Sequence, residues 1–278
     1  MVNYVLSIQR FKDKLMKIRQ KNLLVVFLTR IASSLTSKLG VVLLGAAMVL
    51  SACASPDGLD AIHDPYETVN RRTHEFNKGL DSALLRPASG VYGELVPDAL
   101  AIGISNFSKF LDLPGEVINN ALQLDLESAV TNSARLVING TVGVLGLYDA
   151  ASEIGIYPSA ADFGQTLHKW GIGEGAYLEL PVMGGSTARD TVGIAVDSML
   201  NPLTIILPDN WKLTGTGVKT VAMIGDRARF ATTVDSVLYE SADSYSQSRL
   251  FYLQSRRHEL GMRLAEEDYF DPYEDLYE

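Results

Sequence analysis

Apolar positions recur at helical spacing along most of this chain, in segments that proline and glycine cut short. Leu39–Leu50 is a charge-free apolar run of twelve residues. From Pro65 onward, Val69, Phe76 and Leu80 follow at spacings of seven and four, with Asn70, Arg71 and Arg72 between them, the pattern of an amphipathic helix. Pro87 and Pro97 punctuate the next segment. Asp98 after Pro97 reads as a helix N-cap, and Leu100, Ile104, Phe107 and Leu111 continue at four, three and four. Pro114 and Gly115 predict the end of that helix. A further one over Val117–Ile138 carries Ile118, Leu122, Leu126, Val130 and Val137. Gly140–Asp149 is apolar and glycine-rich. Glycine-dense turns dominate Phe163–Gly185, with one strand expected at Ala176–Leu180. The tract Val192–Leu207 is cut by Pro202, and a last periodic segment runs from Val218 to His258. The expectation is a mainly α fold of interrupted helices with few or no strands.

Segments of this length fall short of the roughly twenty apolar residues that a membrane-crossing helix needs. They suit a buried core or helices lying within one leaflet of a bilayer. The N-terminus bears on that choice. Residues 1–52 hold eight Lys/Arg and one acid, Asp13, and the apolar run ends in Ser51-Ala52-Cys53. Basic flank, short apolar core and small residues describe a secretory signal. Leu50-Ser51-Ala52-Cys53 matches the bacterial lipoprotein box, in which the cysteine is acylated and becomes the first residue. Either Met1 or Met16 is compatible as the start. Cys53 is the chain's single cysteine, which excludes an internal disulfide framework. Two or three acyl chains on Cys53 make attachment permanent where one is marginal, at about 0.8 kcal/mol per buried CH₂. Lipoproteins of enteric type are held at the inner membrane by Asp after the cysteine; Ala54 and Ser55 lack that signal and predict the outer membrane. Residues 53–63 read as a tether.

Charge narrows the partners. The formal net charge is −9. With residues 1–52 removed, 16 basic and 32 acidic residues remain, a net −16. Nucleic-acid phosphates repel such a body. Residues 259–278 form an acidic, tyrosine-rich tail with too few aliphatics for a core, expected to be solvated and disordered. Candidate chemistry is sparse. His63, His74, His168 and His258 lack metal-ligand spacing. Gly184-Gly185-Ser186-Thr187-Ala188 has Ala where a nucleophile elbow needs its final Gly. Gly171-Ile172-Gly173-Glu174-Gly175 and Gly215–Thr220 miss the phosphate-loop patterns. No catalytic site, metal or cofactor is expected. Arg135 with Asp149 and Arg189 with Asp190 are candidates for buried ion pairs, or for contacts with a lipid phosphate.

Several ordered stretches share one resemblance. They are Asp64-Pro65-Tyr66-Glu67 with Asn70-Arg71 and Phe76-Asn77; Arg86-Pro87, Tyr92 and Val96-Pro97; and Gly103 with Asn106-Phe107. Arg135 to Asp149 follows with Asn139, Thr141, Gly143 and Gly146-Leu147, then Asp162–Leu167, Trp170–Pro181 and Gly184–Asp190. In this order and spacing the chain resembles the MlaA (VacJ) family of outer-membrane lipoproteins over residues 64–258. The resemblance implies a ring-like arrangement of amphipathic helices embedded in the periplasmic leaflet and enclosing a polar channel. It implies a non-enzymatic protein that associates with trimeric porins, removes mislocalised phospholipid from the outer leaflet and passes it to a soluble periplasmic carrier. An envelope scaffold that binds porins without moving lipid is the alternative. The resemblance also makes Cys53 the lipidated residue, and Phe76, Asn77, Gly140, Gly143 and Gly146 candidates for channel gating.

Overall fold

The computed structural model describes residues 62–203 and 209–262. The signal segment 1–52, Cys53, the tether as far as residue 61 and the tail from residue 263 lie outside the described residues. The described part is mainly α with two short strands, as the hydrophobic pattern predicts. The tether's last residue, His63, already belongs to the fold, since its carbonyl accepts the Tyr177 N–H at 2.8 Å.

Helix α1 (Glu67–Leu80) runs through a π turn (Asp81–Leu85) into α2 (Arg86–Leu95). The Arg86 N–H reaches back five residues to the Asp81 carbonyl, which widens the helix where Pro87 has no N–H to donate. Helix α3 begins at Asp98 with Pro97 as its cap, so Asp98 opens the helix without capping it. It then continues through Pro114 to Leu122. The expected break at Pro114-Gly115 does not occur. Proline removes the donor for the Phe110 carbonyl, and the next carbonyl, Leu111, accepts the Asn201 side-chain amide at 3.0 Å. The real break comes at Leu124, in the left-handed region at φ 59°. Its N–H donates to the Ala121 carbonyl, and the Asp125 N–H donates to Asn120 at 2.9 Å. This is a Schellman close with leucine where glycine is usual. Asp125 then caps α4 (Leu126–Thr141) by accepting the Ser128 N–H.

Short helix α5 (Ala150–Glu153) is capped by Asp149, and α6 (Phe163–Lys169) by Asp162. Helix α6 replaces part of the turn region expected over Phe163–Gly185. Strands β1 (Tyr177–Leu180) and β2 (Gly184–Thr187) pair antiparallel, Tyr177 opposite Thr187. Thr187 caps α7 (Ala188–Leu200). The expected segment Val218–His258 is three helices: α8 (Asp209–Arg229), α9 (Ala231–Asp235), which leads into a π turn at Ser236–Glu240, and α10 (Ser244–Glu259), capped by Asp243.

Packing partners close on themselves. α1 meets β1, β2 meets α10, α10 meets the second π turn, and α9 leads to α8. α8 packs on α2, which returns through the first π turn to α1. α3 crosses this circuit, touching α4, α6, α7 and α8.

The interior is unusually polar. Among the described residues, nineteen polar or charged side chains are buried against ten apolar ones, so hydrogen bonds and ion pairs rather than aliphatic packing join the elements. Tyr177, Tyr245 and Leu253 form the small apolar cluster. Asn70 and Asn77, two helical turns apart on α1, dock onto β1 in the same way. The Asn70 amide donates to the Tyr177 carbonyl at 3.0 Å and accepts the Glu179 N–H at 3.0 Å. Asn77 donates to Leu180 at 2.9 Å and accepts the Val182 N–H at 2.7 Å. Each amide thus serves as an extra strand residue.

Candidate functional site

The helices are amphipathic with the polar face inside. On α4, Asn132, Arg135 and Asn139 are buried, while Leu126, Val130 and Val137 are about two-thirds exposed at 68%, 69% and 65%. On α1, Asn70 and His74 are buried and Val69 and Phe76 exposed. On these two helices apolar positions read from the sequence therefore face outward. Exposed apolar residues continue through Leu122 and Leu124, along the loop Val142, Val144, Leu145 and Leu147, and to Trp170. Water-soluble helices bury their apolar stripe; this arrangement suits a surface in contact with acyl chains. No helix among the described residues is long and apolar enough to cross a membrane.

Inside, helices α3, α7 and α8 border a cavity of about 710 Å³. Phe107 and Leu111 of α3, Ile194 of α7 and Leu203 give it apolar wall, while Asp112, Glu116, Asp197 and Lys219 give it charge. Asp112 and Glu116 stand one helical turn apart on α3, on either side of Pro114, so they share a face only because the helix continues. Lys219 of α8 pairs with Asp112. Asp197 accepts the Asn119 amide at 2.7 Å and the Phe163 N–H at 2.9 Å, and burial pushes its carboxyl up. Burial, reinforced by Asp112, pushes Glu116 up to about 7, and its Oε2 is shielded from solvent without a hydrogen-bond partner. An apolar wall with a few fixed charges accommodates an amphiphile.

Among the described residues, none of the gating or ion-pair candidates singled out in the sequence lines this cavity. The Arg135 guanidinium donates to both Asp149 oxygens at 3.0 Å, and Asn139 and Ser152 donate to the same carboxylate. Burial opposes the charge on Asp149, but the bonds from Ser152, Asn139 and Arg135 win and hold it at about 2. This unit ties α4 to α5. Arg189 and Asp190 are buried together, and Arg256 bridges Asp190 at 3.1 Å to Asp162 at 2.7 Å. Burial opposes the Asp190 charge too, yet Arg256 and Arg189 hold it at about 2. Arg135 with Asp149 thus joins two elements, whereas Arg189 and Asp190 are neighbours on α7 and it is Arg256 that ties Asp190 to another element. Ser186 of the elbow-like stretch is buried in β2 beside Thr191. Phe76 is exposed, whereas Asn77 holds the β1–β2 turn.

The glycines of the 140–146 stretch serve close approach. A Cβ on Gly146, at φ 85°, would lie 2.3 Å from the Phe110 ring, and one on Gly143 would lie 2.2 Å from the Tyr148 carbonyl. Gly140 also packs against Phe110, at 3.4 Å. The intervening Val144 and Leu145 have φ of 52° and 57°, a strained conformation for side chains of their kind. Phe110 lies between Phe107 and Leu111 on α3, so the loop presses on the helix that forms the cavity wall.

A family model described as MlaA lipoprotein matches residues 62–259. The chain belongs to the MlaA lipoprotein family. The intermembrane phospholipid transport system lipoprotein MlaA of Escherichia coli K12 is 29% identical over 221 residues, covering 78% of this chain and 86% of that protein. A protein of Rickettsia bellii is 34% identical over 201 residues, 72% of this chain and 78% of its own. A solved structure from work on the maintenance of bacterial outer membrane lipid asymmetry aligns with a TM-score of 0.59 at 30% identity, covering 71% of this chain and 98% of the solved one. The residues matched by the family model include the polar-interior helices, the β-hairpin and the cavity. The cavity acids had no sequence signal once a break was expected at Pro114, because Asp112 and Glu116 then fall on separate elements.

Proposed function

We propose that this protein is an envelope lipoprotein that moves phospholipid out of the outer membrane's outer leaflet and hands it to a soluble periplasmic carrier, maintaining lipid asymmetry. The reading rests on one observation: α1 and α4 turn apolar residues outward while α3, α7 and α8 border a cavity with mixed apolar and charged walls. In the periplasmic leaflet of the outer membrane, the outward stripes contact acyl chains while helical hydrogen bonds satisfy the backbone. The cavity offers the headgroup a polar path beside an apolar one for the tails. Transfer needs no bond making, since an ordered outer leaflet rejects phospholipid and a carrier with higher affinity draws it onward. The transport named for the Escherichia coli relative and the outer-membrane subject of the structural neighbour support this assignment.

Cys53 carries the acyl anchor, and trimeric porins hold the protein in place. Asn77 and the loop bearing Gly140, Gly143 and Gly146 gate the channel by pressing on α3 and α7, with Phe76 outward toward lipid. Deleting the gene should leave phospholipid in the outer leaflet with porin trimers at normal levels, and complementation should reverse it. Unchanged outer-leaflet phospholipid with altered porin assembly would refute transport and favour the scaffold.

A further inference from the structure

This inference rests on the lipid-transfer reading and concerns which lipids pass. We propose that the cavity between α3, α7 and α8 selects phospholipids with a primary-amine headgroup, and that Glu116 receives the ammonium group.

Among the described residues, four carboxylates line the cavity, those of Asp112, Glu116, Asp162 and Asp197, together with the ammonium of Lys219. Three of the four are already engaged. Asp112 pairs with Lys219, Arg256 grips Asp162 at 2.7 and 2.8 Å, and Asp197 takes the Asn119 amide and the Phe163 N–H. Glu116 differs: its Oε2 is shielded and accepts nothing. A buried acceptor left in that state is costly until a donor arrives, and a charged donor gives the strongest bond. An ethanolamine headgroup supplies three N–H donors and a positive charge. A glycerol headgroup supplies neutral hydroxyls on a net anionic lipid and adds negative charge to a wall that already carries an excess of it.

The groups facing Glu116 leave its role intact. Asp112, on its own helix, raises the cost of its charge and is itself neutralised by Lys219 of α8. Arg135 of α4 acts on Glu116 at a distance and eases its charge; one terminal nitrogen is committed to Asp149 and the other to Ser152 and the Ile156 carbonyl, while its Nε is shielded without a partner. Asp197 of α7 and Asp162 ahead of α6 are both acidic and favour a cation in the space between. With its carboxyl near 7, Glu116 is partly protonated when the site is empty. An arriving ammonium stabilises the carboxylate, and the displaced proton leaves to solvent.

The test is calorimetric. Full-length purified lipoprotein in micelles is titrated with short-chain phosphatidylethanolamine and phosphatidylglycerol of identical acyl chains. The wild type should prefer the ethanolamine lipid by about tenfold, the scale of one charge-assisted hydrogen bond, and Glu116→Gln should bring the two affinities together. In the unmodified chain the preference should also shrink from about pH 8 to about pH 6, as Glu116 protonates. Equal affinities in the wild type, a preference that survives Glu116→Gln, or one that ignores pH would overturn headgroup selection while leaving phospholipid binding standing. Failure to bind either lipid would overturn the transfer reading itself.

Discussion

Replacing Asn77 by alanine removes the two short bonds through which α1 holds the β1–β2 turn, the 2.9 Å donation to the Leu180 carbonyl and the 2.7 Å acceptance from the Val182 N–H, along with a longer donation to Glu179 at 3.3 Å. Each such bond is worth about 0.5–1.5 kcal/mol net, so the loss should be about 1–3 kcal/mol. Exposed Val182 regains water at its N–H, which limits the cost, while the half-buried Leu180 carbonyl does not. In a domain of this size the melting temperature should fall by about 2–12 °C. Asn77→Asp sharpens the test, because it keeps the acceptor for Val182 but sets a carboxylate against the Leu180 carbonyl and Glu179. It should cost at least as much as alanine at neutral pH. Melting followed by circular dichroism in micelles, with limited proteolysis at the turn, measures both effects. A melting temperature within about 1 °C of wild type for Asn77→Ala, with the turn still protected, would refute the clamp.

Gly146→Ala places a Cβ 2.3 Å from the Phe110 ring at a φ of 85°, and should cost about 2 kcal/mol or more in denaturant unfolding. Leu124→Gly relieves a left-handed leucine and should raise stability by about 0.5–1 kcal/mol, while removing a side chain 85% exposed should weaken partitioning into liposomes measured by flotation. Glu116 governs a pH response. Its carboxyl is raised in the folded state from 4.5 to about 7, so its contribution favours folding at low pH and is lost as pH rises through that window. The linked loss is at most about 3 kcal/mol, and Glu116→Gln should flatten that part of the stability–pH curve.

Much of the fold is legible in the sequence because helical periodicity and capping are local. The segments opening near Pro65 and Asp98 are helices as their periodicity predicts, although the cap expected at Asp98 is Pro97, and the helix capped by Asp162 lies where turns were expected. What could not be read is which side of each helix faces inward. Val69 and Phe76 form a regular stripe, and the usual inference buries it; here Asn70 and Asn77 turn inward to backbone partners at β1 and its turn, and His74 to the side chains of Glu179 and Ser244, none of which a local pattern reveals. Helix ends failed for a related reason. Pro114 is a strong stop signal, overridden by packing and by Asn201 on a distant element, whereas Leu124 carries no stop signal and still ends the helix. Arg135 with Asp149 and Arg189 with Asp190, candidates in the sequence for ion pairs or lipid-phosphate contacts, are ion-paired in the structure. The cavity acids emerge only once α3 is continuous.

The account stands most directly on the cavity being the lipid's path. Gly215 lines it from α8, and a Cβ there meets only the Leu111 side chain at 3.8 Å, so Gly215→Phe can fill the space from a permissive backbone position. The deciding measurement is outer-leaflet phospholipid in a deletion strain complemented with this variant, with its membrane level confirmed by blotting. The account predicts phospholipid as high as in the deletion. Full restoration of asymmetry by the filled variant would contradict it.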